Sequence, residues 1–416
     1  MSPAPLDPPV ALTPDGAHAA SRQPLEGVIV LDLGQIYNAP YATFLMAMAG
    51  ADVIKVEPRT GENLRGRTQA SGAGAPFAML NSNKRAITLD LRSDRGREIV
   101  LELADRADVF VENFRPGVTD RLGIGAEVVQ ARNPRLIYAS GSGFGKTGPY
   151  RDFAAMDLTV QAIAGIMSVT GYPDRPPVKA GPALCDFFGG VHLYGAITTA
   201  LYERERTGVG RAIEVSMFES VYPSLMSSLG LYFGSGGEAP TRTGNRHAGL
   251  AEAPYNVYPT SDGYVAIIGV SDQHWRSLAE VMGREDLADA PGWGTRRERV
   301  ARMDDVDDVV SDFTARYARD ELLELLRGAR VPCAPVRDIG EVVTDEHLHE
   351  RGMLQEFDHP DLGPITLPHS PLRYEGVEPI PLKPSPRLGE HNAEILRDML
   401  GFGDEQIDEL IAQEVL

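Results

Sequence analysis

Short apolar runs spaced along the first half of the chain set its frame. Val28 to Leu33 is the first, followed by Ala51 to Glu57, Arg85 to Leu91, Ala107 to Val111 and Arg135 to Ser140. Each is rich in Val, Ile and Leu with little polar alternation, the pattern of strands buried on both faces. Between them lie stretches of helical spacing, one opening near Pro40 and one from Gly96 to Asp105 with Ile99, Leu101 and Leu103. A longer helical run, Val191 to Arg206, leads through the turn Thr207-Gly208-Val209-Gly210-Arg211 to another strand, Ala212 to Met217. Strands alternating with helices predict βαβ units and a mostly parallel sheet, an α/β fold.

The pattern changes at both ends of this block. Residues 1–24 are rich in Pro and Ala without apolar periodicity and read as a loose arm. From about Gly230 to Ala253 the chain is Gly-rich and reads as a long loop, so residues 226–254 form a linker after a large domain at 25–225. A smaller α/β domain at 255–338 carries a strand (Tyr264 to Val270), a helix (Gln273 to Met282), helical segments at Arg299 to Tyr317 and Glu321 to Leu326, and a strand at Val331 to Val336. Pro-rich turns then lead to a short strand (Gly363 to Leu367) and two closing helices, His391 to Leu400 and Glu405 to Gln413.

Open parallel sheets bind ligands beyond the carboxyl ends of their strands. The segment after the first strand, Gly34 to Pro40, has no G-x-G-x-x-G, which disfavours a standard dinucleotide site. Arg59, Lys84, Arg92, Arg115 and Arg121 all fall at or near strand ends, and five cations around one rim point to an anion site, weighed against scattered solvation. The stretch Pro177 to Gly190 holds a single carboxylate, Asp186, among small and apolar residues just before the helical run. It reads either as an N-cap or as a nucleophile, with Gly189 and Gly190 leaving room for a ligand at the helix start. His247 is an acid/base candidate or a solvated loop residue.

Composition narrows the function. With 416 residues, 43% hydrophobic and 24% charged, the chain has the make-up of a soluble protein of two or three domains. A net charge of −19, from 40 basic and 59 acidic residues, argues against nucleic acid or an anionic membrane as partner. Cys185 and Cys333 have no metal-ligand spacing, so no metal site is expected, and a reducing compartment fits. No apolar run is long enough to span a membrane and no signal peptide is visible, so a cytoplasmic protein is expected.

Taken together the segments resemble the class III CoA-transferases, the family that includes formyl-CoA transferase, carnitine CoA-transferase and the α-methylacyl-CoA racemases. The likeness is carried by Val30 to Leu33, Gly50 to Glu57, Asn81 to Arg85, Asp108 to Gly117, Gly143 to Tyr150, the Asp186 region through Arg211, Arg330 to Val336 and Leu388 to His391. It implies a large Rossmann-like domain completed by residues 339–416, a smaller inserted domain, and two ring-like subunits interlocked as a homodimer. It implies acyl-CoA and a small carboxylic acid as substrates, with coenzyme A bound as substrate and no tightly bound cofactor. Asp186 falls on the family's nucleophile. Ile36, Tyr37, Asn38, Arg59, Leu89, Arg92, Asn113, Phe114, Arg121 and Met217 fall on its CoA contacts, the arginine matching either Arg59 or Pro58; Arg115 joins them from the strand-end rim. Racemases of the family use a His-Asp pair where this chain has Met156 and Asp157, a departure that favours a transferase over an isomerase. A dicarboxylate acceptor would suit the loop arginines Arg242 and Arg246.

Overall fold

The computed structural model describes residues 22–66 and 74–416. Most of the expected N-terminal arm therefore lies outside the described residues. Six strands, β1 (Ile29–Asp32), β2 (Asp52–Glu57), β3 (Arg85–Thr88), β4 (Val109–Glu112), β5 (Ile137–Ser142) and β6 (Ala212–Ser216), form one sheet in the order β3-β2-β1-β4-β5-β6. Every pairing in it is parallel. This is the doubly wound order, in which connections leave β1 and β4 in opposite directions.

The apolar runs are continuous because both faces of the sheet are covered. Leu31, Ile54, Ile87, Phe110 and Tyr138 join one core, against the helix Asp94–Ala104 and the closing helices Asn392–Leu400 and Asp404–Ala412. Their strand neighbours Val30, Val53, Val109, Ile137 and Ala139 join a second core on the opposite face. There the helices Asn38–Ala47 and Leu184–Thr207 pack. Alternate residues of one strand thus serve two cores, as the two-residue side-chain period requires.

A second, antiparallel sheet is built from β7 (Tyr255–Pro259), β8 (Tyr264–Ile268) and β9 (Cys333–Pro335), in that order, over its own core around Trp275. β10 (Leu354–His359) and β11 (Gly363–Pro368) pair as an antiparallel hairpin. Several elements depart from the expected ones, two of them between residues 226 and 314. The acidic stretch from Arg299 is two helices, Arg296–Val300 and Met303–Thr314, and the Gly-rich linker opens with a helix, Met226–Gly234. Beside the break the Arg299 side chain is buried and donates to the carbonyls of Ala253, Trp293 and Gly294.

Candidate active site

A cleft of about 420 Å³ opens where the connections diverge, beyond the carboxyl ends of β1, β4 and β5. After β1 its wall is Gln35, Ile36 and Asn38; after β4, Asn113 to Pro116; after β5, Ser142 to Gly145. Arg151, Phe153 to Met156, Met217 and Asp186 complete it.

Asp186 is the third residue of the Leu184–Thr207 helix and only 8% exposed. The N-cap is Ala183, which makes no side-chain cap bond, so the N-cap reading of Asp186 does not hold. Its carboxyl instead stands in the first turn, where the positive end of the helix dipole favours negative charge. The helix starts at Leu184 rather than Val191, so Gly189 and Gly190 lie within it. They admit another helix, not a ligand. A Cβ on Gly189 would come within 2.1 Å of Asn38 Nδ2, and one on Gly190 within 2.6 Å of the Asn38 carbonyl oxygen. Gly189→Ala should therefore lower stability by about 1–2 kcal/mol in thermal denaturation, overcoming the helix propensity alanine gains.

The loop after β1 is held by buried charges. Ile36, a β-branched residue, sits at φ 64°, a conformation that needs support from its surroundings. Glu62 provides it, accepting the Ile36 N–H at 3.2 Å and the Leu64 N–H at 3.1 Å. Lys55 donates to the Gly34 carbonyl at 2.9 Å and lies 3.7 Å from Glu62. Asn113 exchanges two hydrogen bonds with the Gln35 backbone, tying β4 to the same loop.

Beneath it Lys84 donates to Asp32 at 2.8 Å and to Thr43, Asn81 and the Pro40 carbonyl. Burial pushes the Lys84 ammonium down to about 8, against the pull of Asp32. Burial alone would push the Asp32 carboxyl up, but Lys84 and Lys55 outweigh it and hold it below its ordinary value. Lys84 is thus a fully enclosed structural cation and does not belong to the rim.

Of the residues expected to meet CoA, the cleft gathers Ile36, Asn38, Asn113, Phe114, Arg115 and Met217 beside Asp186. Five lie elsewhere. Tyr37 turns toward Phe187, ring centres 6.0 Å apart. Arg59, after β2, donates to the Leu416 carbonyl and faces Glu414. Leu89 is enclosed in the core at the end of β3, and Arg92 is exposed just beyond it. Arg121 is exposed at the end of the short helix Val118–Arg121. All of these except Tyr37 follow β2, β3 or β4, on the carboxyl edge of the sheet.

Neither loop arginine lines the cleft: Arg246 pairs with Asp304 and Asp307, and Arg242 donates to the carbonyls of Tyr172 and Arg175. His247 accepts the Gly249 and Ala251 N–H groups and packs on Tyr255. Of the wall from Arg151 to Met156, only Met156 is picked out by the sequence; Arg151 and Phe153 to Ala155 are not, although they follow the Gly143 to Tyr150 turn directly. Among the described residues no group of His, Cys, Asp and Glu side chains could hold a metal ion, and no helix is long and apolar enough to cross a membrane.

The model of CoA-transferase family III matches residues 25–392. The chain belongs to CoA-transferase family III. The formyl-CoA:oxalate CoA-transferase of Streptomyces avermitilis is 38% identical over 400 residues, covering 92% of this chain and 97% of that protein. The succinyl-CoA:mesaconate CoA-transferase of Haloarcula hispanica is 39% identical over 391 residues, covering 91% and 97%. Among solved structures, a CAIB/BAIF family protein from Brucella suis superposes with a TM-score of 0.78 at 35% identity, covering 91% of this chain and 99% of that one. As a family member the chain is an acyl-CoA:carboxylate CoA-transferase, and CoA thioesters are its substrates.

Proposed function

We propose that this enzyme moves CoA between two small organic acids through covalent intermediates on Asp186. The observation that carries the reading is a carboxylate in the first turn of a long helix, nearly enclosed, on the wall of the cleft beyond the carboxyl ends of β1, β4 and β5. An Asp186 oxygen attacks the thioester carbonyl of the donor, the C–S bond breaks, and CoA leaves as thiolate from a mixed anhydride. The thiolate then attacks the aspartyl carbonyl and expels the donor acid as carboxylate, leaving aspartyl-CoA. The acceptor carboxylate attacks that thioester and displaces the thiolate, which takes the acceptor's acyl carbon and frees Asp186. No proton is consumed over the cycle, and no resident cofactor is needed.

Racemisation would require a proton acceptor where the chain has Met156. That residue lies on the cleft wall, and its thioether is no base. The acceptor we propose is a short dicarboxylate. The named activities of the relatives, on oxalate and mesaconate, support this, as do the exposed cations Arg115 and Arg151 on the cleft wall.

Ile36, Asn38, Asn113, Phe114, Arg115 and Met217 would contact the CoA thioester, and Tyr37, Arg59, Arg92 and Arg121 would extend the contact outward; Leu89, with no exposed surface, shapes the floor beneath them and drops out of the contact set. The division into 25–225, 255–338 and 339–416, the interlocked homodimer and a cytoplasmic setting belong to the same proposal. Incubation with a panel of acyl-CoAs and free acids, scanned by mass for new thioesters, tests it. Exchange confined to monocarboxylates would reject the dicarboxylate, and absence of exchange would reject the whole reading. Arg115→Ala should raise KM for acyl-CoA about fivefold, the worth of roughly 1 kcal/mol for one exposed charge-assisted contact, with kcat little changed.

A further inference from the structure

Two side chains that the chemistry leaves unchanged close on the backbone of Asp186 from different elements. Asp157, first residue of the Asp157–Ile163 helix, accepts the Cys185 N–H through Oδ1 at 2.8 Å. That amide is one of those a helix cannot satisfy in its own first turn. Asp157 therefore caps the Leu184–Thr207 helix from outside, in place of Ala183. Its Oδ2 accepts Gln161 Nε2 at 2.6 Å. Gln161 is fully buried and fixed at both ends, taking the Ala180 N–H on Oε1 and also giving Nε2 to the Pro182 carbonyl.

From the sheet side, Asn38 Nδ2 donates to the Asp186 carbonyl at 3.2 Å. Reversing the amide would set oxygen against oxygen, so that carbonyl fixes its orientation. The fit is tight, because a Cβ on Gly141 would lie 2.3 Å from Asn38 Oδ1. Oδ1 itself is buried with no hydrogen-bond partner among the described residues, a cost accepted to place Nδ2.

We infer that Asp157 and Asn38 are positioning residues that hold the Cys185–Asp186 backbone still while the Asp186 carboxyl turns from nucleophile to electrophile and back. The inference rests on the reading of Asp186 as covalent carrier. A thiolate tethered by the rest of CoA must find the aspartyl carbonyl at the place where the carboxylate attacked, and a shift of about 1 Å costs on the order of 10²-fold.

Asp157→Ala should lower kcat about 10²-fold while KM for acyl-CoA stays within about twofold, and Asn38→Ala should lower kcat as far with KM rising as well, because Asn38 also lines the cleft. Asp157→Asn keeps one acceptor, enough for Cys185 or Gln161 but not both, and should recover about tenfold of the loss. That isosteric variant also serves if an alanine variant fails to fold: a tenfold lower kcat at unchanged KM supports positioning, and wild-type kcat overturns it. An effect on melting temperature alone, with kcat per folded molecule unchanged, likewise overturns it as a merely structural cap. Intact mass after mixing with acyl-CoA separates the two levels. Without an Asp186 adduct in the wild type the carrier reading itself fails. With the adduct present and the alanine variants turning over at near wild-type rate, only the positioning inference falls.

Discussion

Asp186→Ala should reduce CoA transfer by at least about 10⁴-fold, the scale seen when a covalent nucleophile is removed, while CoA still binds. The helix itself should survive the change. Its first-turn amide at Cys185 is capped by Asp157, and the Asp186 contact with Asn38 runs through the backbone carbonyl, which alanine retains. The loss of one favourable charge at a helix N-terminus is worth about 0.3–1 kcal/mol, visible as a small drop in melting temperature. Asp186→Asn should be equally inactive, since an amide keeps the shape without the nucleophilic oxygen. A variant with near wild-type kcat would remove the covalent route.

The second large effect is on stability. Lys84→Met should cost about 3–5 kcal/mol in chemical denaturation, because it leaves Asp32 charged and enclosed without the ammonium that meets it at 2.8 Å. Asp32→Asn combined with Lys84→Met should recover part of that cost by removing the stranded charge. The pH dependence has a defined sign. The folded-state pKa of Asp32 is lowered from 3.8, so its contribution is fully present above that value and is lost as pH falls through the folded one. Acid unfolding of the wild type should therefore be steeper below about pH 4 than that of Asp32→Asn. The same pair underlies the β1 loop, since Lys84 also holds the Pro40 carbonyl and Asp32 accepts the Gly34 N–H, so activity should fall with stability in the Lys84 variant.

The middle of the central sheet was legible in the sequence because β1, β2, β4 and β5 are enclosed on both faces, which writes each as a largely apolar run. β7 and β10 were not, since their residues are half-covered and mostly polar or aromatic, a pattern shared with loops. Lys84 misled because a lysine next to a strand looks like rim charge. What encloses it is Asp32, far away in the chain and invisible to local pattern. Gly189 and Gly190 misled in the same way. Their space is filled by Asn38, so a close helix crossing was read as a ligand gap. Asp186 stands out as the single carboxylate of its stretch, yet its N-cap alternative falls only once Ala183 is seen at the cap and Asp157 on the Cys185 amide. Arg246 looks free in a glycine-rich loop, and its partners Asp304 and Asp307 come from a helix about 60 residues on, which no local pattern brings to it.

The most direct test is to mix the enzyme with an acyl-CoA, quench, and locate by fragment mass which residue gains CoA or the acyl group. The account predicts the addition on Asp186 and its disappearance in Asp186→Ala. Acylation of Cys185 in place of the Asp186 adduct would contradict it, since burial, with Asp157 and Asp186 beside it, pushes that thiol up to about 12, away from the thiolate that would react. Rapid transfer with no adduct at any residue would contradict it as well.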